Sequence, residues 1–143
     1  MTASRRVEEG SMYKSIVVGT DGSATATEAV CHAADLAALT GARLHIVHAF
    51  RVASAPDVAA QDARAVLASA AESAKREGVT VETHPLVGDA ATALIDAATR
   101  EDADLLVVGN KGMSGARRFI LGSVPNTISH RMPCNLLIVH TSS

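Results

Sequence analysis

Residues 109–123 read Gly109-Asn-Lys-Gly112-Met-Ser-Gly-Ala-Arg-Arg-Phe-Ile-Leu-Gly122-Ser123 and follow the apolar run Asp104-Leu-Leu-Val-Val. Two glycines three apart, then nine residues, then Gly-Ser opening a new helix, are a pattern that can cradle phosphate. Glycine lets the backbone approach a bound group closely. A helix beginning at Ser123 points its unpaired N–H groups at whatever the loop holds. Lys111, Arg117 and Arg118 add positive charge with no acid between them. A solvated turn would also tolerate these residues, but the helix start and the basic side chains favour an anion site. A second small-residue loop, Gly19-Thr20-Asp21-Gly-Ser, follows the first apolar run. Asp21 can receive a ribose hydroxyl, hold a divalent cation through water, or cap the next helix. Ser23 competes for the capping role.

Other chemistries lack their residues. There is no Gly-Lys-Ser/Thr of a Walker A loop and no Gly-x-Gly-x-x-Gly in the first turn. No Gly-x-Ser-x-Gly elbow supplies a serine nucleophile. No Cys or His pair has zinc spacing, and His45 and His48 would point to opposite faces of a strand. No metal site of the protein's own and no catalytic set are therefore expected.

These loops need a scaffold. Four β-branched, continuous runs suit strands of a parallel sheet covered on both faces: Ser15-Ile-Val-Val-Gly-Thr, Leu44-His-Ile-Val-His-Ala-Phe, Asp104-Leu-Leu-Val-Val-Gly and Asn135-Leu-Leu-Ile-Val-His. A fifth, Thr80-Val-Glu-Thr-His-Pro-Leu-Val, alternates and contains Pro85, so it belongs at an edge. Helices are predicted over 24–40, with Thr25 and Glu28 at capping-box spacing and Gly41 as the stop. Others are predicted over 57–77, ending at Gly78, over 90–101 capped by Asp89, and over 124–132 capped by Ser123. The alternation β-α-β-α-β-α-β-α-β predicts an α/β fold with an open, doubly wound parallel sheet and helices on both faces. In such sheets ligands bind beyond the carboxyl ends of the strands, where strand order reverses. The loop after the fourth strand has about thirteen residues where such connections usually run to 2–6, and a bound ligand would account for the excess.

The 143 residues fit one domain, with a formal net charge of −2 that speaks against a nucleic-acid footprint or an anionic membrane surface. One Tyr, two Phe and no Trp leave no platform for stacking single strands. Residues 1–12 form a polar leader expected to be disordered, with Met12 an alternative start. They contain no apolar stretch of the kind an export signal needs, and no run is long enough to span a bilayer. A cytoplasmic protein is expected, with Cys31 and Cys134 reduced and buried.

The pattern Gly109-x2-Gly112-x9-Gly122-Ser123 resembles, gap for gap, the nucleotide signature of the universal stress protein family. The resemblance runs over residues 13–140. It includes Val-Val-Gly-Thr-Asp-Gly-Ser at the first strand, His48-Ala49 at the second, Val87-Gly88-Asp89 after the third, and the closing Leu-Leu-Ile-Val-His. The resemblance implies a universal stress protein domain over 13–143, strand order 3-2-1-4-5, and binding of ATP, with Mg2+, by a stress-response regulator. Carried over by position, Asp21 serves the ribose or adenosine end beside the backbone of Gly19 and Thr20, and the main chain of Ala49 meets the adenine. Gly109 lies by the ribose, and Asn110 beside it belongs to the nucleotide-binding set. Gly112, Gly122, Ser123 and Val124 hold the phosphates, with Arg117 or Arg118 nearby. Gly19 stands where some members have proline, which alters the adenine wall. The family pairs subunits through its last strand, here Asn135 to His140, so a homodimer is implied. A cyclic-AMP or other adenosine-ligand sensor on the same scaffold is the alternative, and a slow ATP hydrolase a lesser one. The resemblance implies no enzyme beyond at most slow hydrolysis.

Overall fold

Three of the continuous apolar runs form the buried centre of a sheet. The fourth, Asn135-Leu-Leu-Ile-Val-His, expected to be buried on both faces, lies at an edge and is only partly covered. The computed structural model describes residues 12–52, 55–110 and 133–141. Its strands are β1 (Ser15–Gly19), β2 (Arg43–Phe50), β3 (Val81–Val87), β4 (Leu105–Gly109) and β5 (Asn135–Val139). All four pairings are parallel, in the order β3-β2-β1-β4-β5. The described helices are α1 (Ala24–Thr40), α2 (Pro56–Ser73) and α3 (Ala90–Arg100). The expected helix over 124–132 and most of the leader lie outside the described residues.

The strand period of two divides the core into two layers. Ile16, Val18, Leu44 and Ile46 point toward α1 and α2, meeting Val30, Ala33, Ala37 and Leu67. Val17, Val47, Leu106 and Val108 point the other way, onto Leu94, Ile95, Ala97 and Ala98 of α3. Alanine on the inward helix faces lets each helix lie close to the sheet. Leu44, Ile46, Leu94 and Leu106 are fully buried, and each contributes about 1.5–3 kcal/mol by leaving water. Strand starts are aligned by Asp104, whose Oδ2 accepts from the backbone N–H of Lys14 (2.7 Å) and of Ser15 (3.0 Å).

Local signals were mostly obeyed, with three corrections. The cap of α1 is Ser23, whose hydroxyl accepts from the Ala26 N–H at 3.2 Å. Thr25 instead shares a 3.2 Å hydrogen bond with that hydroxyl, so the predicted Thr25–Glu28 box is two residues late. Gly41 closes α1 in the left-handed region at φ 81°, donating to the Ala37 carbonyl. Helix α2 stops at Ser73 rather than running to residue 77. The Arg76 guanidinium turns back onto the carbonyls of Ser73 (2.9 Å) and Lys75 (2.8 Å) and pairs with Asp35 of α1 at 2.8 Å. That side chain takes over the work of the final helical turn, ahead of Gly78. Asp89 caps α3 as expected, accepting from Thr92 N–H at 3.0 Å. The third correction concerns the cysteines, which are free but only half-buried. Strand β3 is an edge strand, so Pro85 deletes no ladder donor that an inner strand would need. No described helix is long and apolar enough to cross a membrane.

Candidate functional site

The carboxyl end of β1 turns into α1 through a loop that satisfies its own backbone. Thr20 is buried, and its N–H extends the ladder to the Val47 carbonyl at 2.9 Å. Its hydroxyl accepts from Gly22 N–H at 3.0 Å, and Asp21 Oδ1 accepts from Ser23 N–H at 2.9 Å. These two side-chain turns aim the chain into α1. Gly22 sits at φ 86°, and a Cβ there would meet both Val66 methyls at 3.3 Å, so glycine is needed for conformation and for space. Half-buried Asp21 places a carboxylate beside the α1 amino terminus, where the helix dipole favours negative charge.

His48 anchors this turn from β2. Its Nδ1 lies 2.9 Å from the Thr20 carbonyl. A carbonyl only accepts, so Nδ1 carries the proton and donates. The ring stacks against Phe50, with centroids 6.3 Å apart and planes 16° from parallel. His48 entered the sequence reading as a member of a short motif and of a rejected metal pair with His45. Its bracing role depends on the β1–β2 register, which spacing along the chain cannot reveal. Ala49, next along β2, is half-buried and pairs with Leu86 of β3.

Gly109 ends β4 beside these groups. A Cβ added there would find Thr141 Cγ2 at 3.5 Å and Ala29 Cβ at 3.8 Å, ordinary contacts. The fold therefore does not itself demand glycine at 109. Asn110 was expected among the ligand residues, yet its side chain is engaged within the protein. Its N–H donates to the Val139 carbonyl at 2.8 Å. Its Oδ1 accepts from Thr141 N–H (2.8 Å) and from the Thr141 hydroxyl (2.7 Å). It clamps the end of β4 to the end of β5.

The turn after β1, the end of β2 and the end of β4 thus share one edge of the sheet. β1 lies between β2 and β4, and the chain winds away in opposite directions from the β1/β4 boundary, which is where an open sheet leaves a crevice. Close by, a cavity of about 270 Å³ is lined by Thr20, Gly22, Thr27, Ala65, Val66 and Ser69. It falls just below the ~300–1,000 Å³ of small-molecule sites. Of the predicted site, Gly19, Thr20, Asp21, Ala49, Gly109 and Asn110 are brought to this edge. Lys111, Gly112, Arg117, Arg118, Gly122, Ser123 and Val124 lie outside the described residues.

Known proteins share both the sequence and the fold. The model of the universal stress protein family matches residues 12–140. The universal stress protein Rv1636 of Mycobacterium tuberculosis is 40% identical over 146 residues, covering 92% of this chain and 99% of its own. A universal stress protein crystallised in complex with cAMP is 41% identical, with TM-score 0.74 over 91% of this chain and 98% of that one. The universal stress protein of Archaeoglobus fulgidus in complex with dAMP is 25% identical, with TM-score 0.69 over 92% of this chain and 99% of that one. On sequence and fold together, the chain belongs to the universal stress protein family.

Proposed function

We propose that this chain is an adenine-nucleotide-binding regulatory protein that holds ATP, with Mg2+, across the carboxyl ends of β1, β2 and β4. The observation that carries the reading is the convergence of Gly19-Thr20-Asp21, Ala49 and Gly109 at the strand-order switch, on a turn braced by His48. Gly19, Thr20 and Asp21 with the Ala49 main chain would receive the adenosine, and Gly109 the ribose. Asn110 serves them as a brace for the β4 end rather than as a direct contact. The phosphates would fall to Gly112, Gly122, Ser123 and Val124, with Arg117 or Arg118 supplying charge. The choice of ATP rests on the glycine signature of that segment.

A second reading, a cyclic-AMP sensor, has its own support, because the relative at 41% identity was crystallised with cAMP. In either case the protein binds rather than turns over its ligand. Amides and basic groups that hold ground and transition states alike give affinity without rate. Turnover would lie far below the ~1–100 per second of kinases. A cytoplasmic homodimer joined through β5 completes the proposal.

The test is mass spectrometry of nucleotide released from gently purified protein, followed by calorimetric competition between ATP and cAMP. Stoichiometric ATP, displaced weakly by cAMP, is the expected result. Tighter cAMP binding selects the second reading. Failure of the folded protein to bind either nucleotide at millimolar concentration contradicts both.

A further inference from the structure

A second polar cluster lies away from the nucleotide edge, on the α3 face of the sheet toward the amino ends of the strands. His45 of β2 pairs in register with Val17 and Glu82, and His84 of β3 sits diagonally beside it on the same face. Glu101, the residue that closes α3, reaches the same point from the helix layer. His45 Nδ1 is 3.0 Å from His84 Nε2, and His45 Nε2 is 4.0 Å from a Glu101 oxygen. One ligand atom from each of the three residues lies within 4.8 Å of the others.

We propose that His45, His84 and Glu101 form a binding site for one divalent transition-metal ion of the zinc type. Two imidazole nitrogens and a carboxylate oxygen suit such ions, with a solvent molecule as fourth ligand. Two nitrogens on a tetrahedral zinc stand about 3.4 Å apart, given bonds of ~2.0–2.1 Å. His45 Nδ1 and His84 Nε2 therefore need to separate by a few tenths of an ångström. The more exposed His84 ring turns so that both lone pairs meet at the ion, and Glu101 swings from the Nε2 side of His45 toward that point. His45 is 3% exposed, while His84 and Glu101 are half-buried, so one ligand is fixed by packing and two face a route to solvent. Burial pushes the His45 pKa below its ordinary value, which keeps the imidazole neutral and ready to coordinate. The carboxyl end of α3, with its negative dipole, also favours a cation at Glu101.

The charges facing the cluster are mixed. Glu82 Oε1 approaches His45 Nδ1 at 3.8 Å and carries Arg43 at 2.9 Å, and Arg100 Nε lies 3.4 Å from Glu101. Each arginine thus has a carboxylate beside it, and the pairs leave the cluster close to neutral before an ion arrives. The expectation of no metal site came from pairs along the chain. Here the ligands come from three elements far apart in sequence, so no spacing could announce them.

The test uses the full chain, stripped with EDTA and free of nucleotide, titrated with Zn2+ by calorimetry and with Co2+ by visible absorption. One ion per chain with micromolar or tighter affinity is expected, together with Co2+ bands of a nitrogen- and oxygen-ligated site of low coordination number. His84→Ala and Glu101→Gln should each weaken Zn2+ binding at least tenfold. His140→Ala, on the far edge, should leave it unchanged. Because His84 and Glu101 are partly exposed, both variants should keep native circular dichroism. Absence of binding at a hundred micromolar Zn2+ would overturn the proposal, leaving only a hydrogen-bonded histidine pair. So would binding that survives both variants in natively folded protein.

Discussion

Gly109 separates what the fold needs from what a ligand needs. A Cβ there meets nothing nearer than 3.5 Å, so Gly109→Ala should change stability by less than about 0.5 kcal/mol. If the ribose lies against this backbone, the same methyl should weaken nucleotide binding at least tenfold, about 1.4 kcal/mol. Thermal melting and calorimetry on the one variant check both halves, and unchanged affinity would move the ribose elsewhere. His48 carries the complementary prediction. Its 2.9 Å bond to the Thr20 carbonyl holds the β1–α1 turn, and leaving that carbonyl unsatisfied costs about 1–3 kcal/mol. His48→Ala should thus lose stability in urea and nucleotide affinity together. The turn from Gly19 to Ser23 was legible in the sequence because local turn chemistry depends on near neighbours. His48, the clamp by Asn110 and the pairing of His45 with His84 were not. Each is made across strands, by a register that only the folded sheet defines.

At the scale of elements, Ser23 is the clearest lever. It caps α1 through the Ala26 N–H, and α1 in turn covers β1 and β4 below the candidate site. Ser23→Ala should cost about 1 kcal/mol, lowering the melting temperature by a few degrees, as calorimetric melting would record. A change within error would mean that another group replaces the cap. Strands β1, β2 and β4 were legible because their central residues are buried on both faces. β5 was legible as an apolar run although it proves a half-exposed edge, and Pro85 marked β3 as the other edge. Helix ends were harder. Gly41 stopped α1 where expected, since a left-handed residue ends a helix by itself. The end of α2 was misplaced because Arg76 reaches across to Asp35, a tertiary contact invisible to a local stop signal.

For the whole molecule, β5 is one of the two edges of the described sheet, opposite β3, and its Ile138 is 39% exposed. An apolar edge strand left unpaired invites association, and pairing with a second copy would close it by two-fold symmetry. Light scattering should therefore give a dimer at micromolar concentration. Ile138→Pro, which removes a main-chain donor, should yield monomer or precipitate. A stable monomer of the unaltered chain would refute the dimer. The central claim is the place of the nucleotide on the sheet, and amide chemical shifts of isotope-labelled protein titrated with ATP and with cAMP test it most directly. The account predicts saturable shifts largest at Gly19, Thr20, Asp21, Ala49 and Gly109, with His84 and Glu101 unmoved. Shifts concentrated away from the carboxyl ends of β1, β2 and β4, or none at millimolar nucleotide, would contradict it.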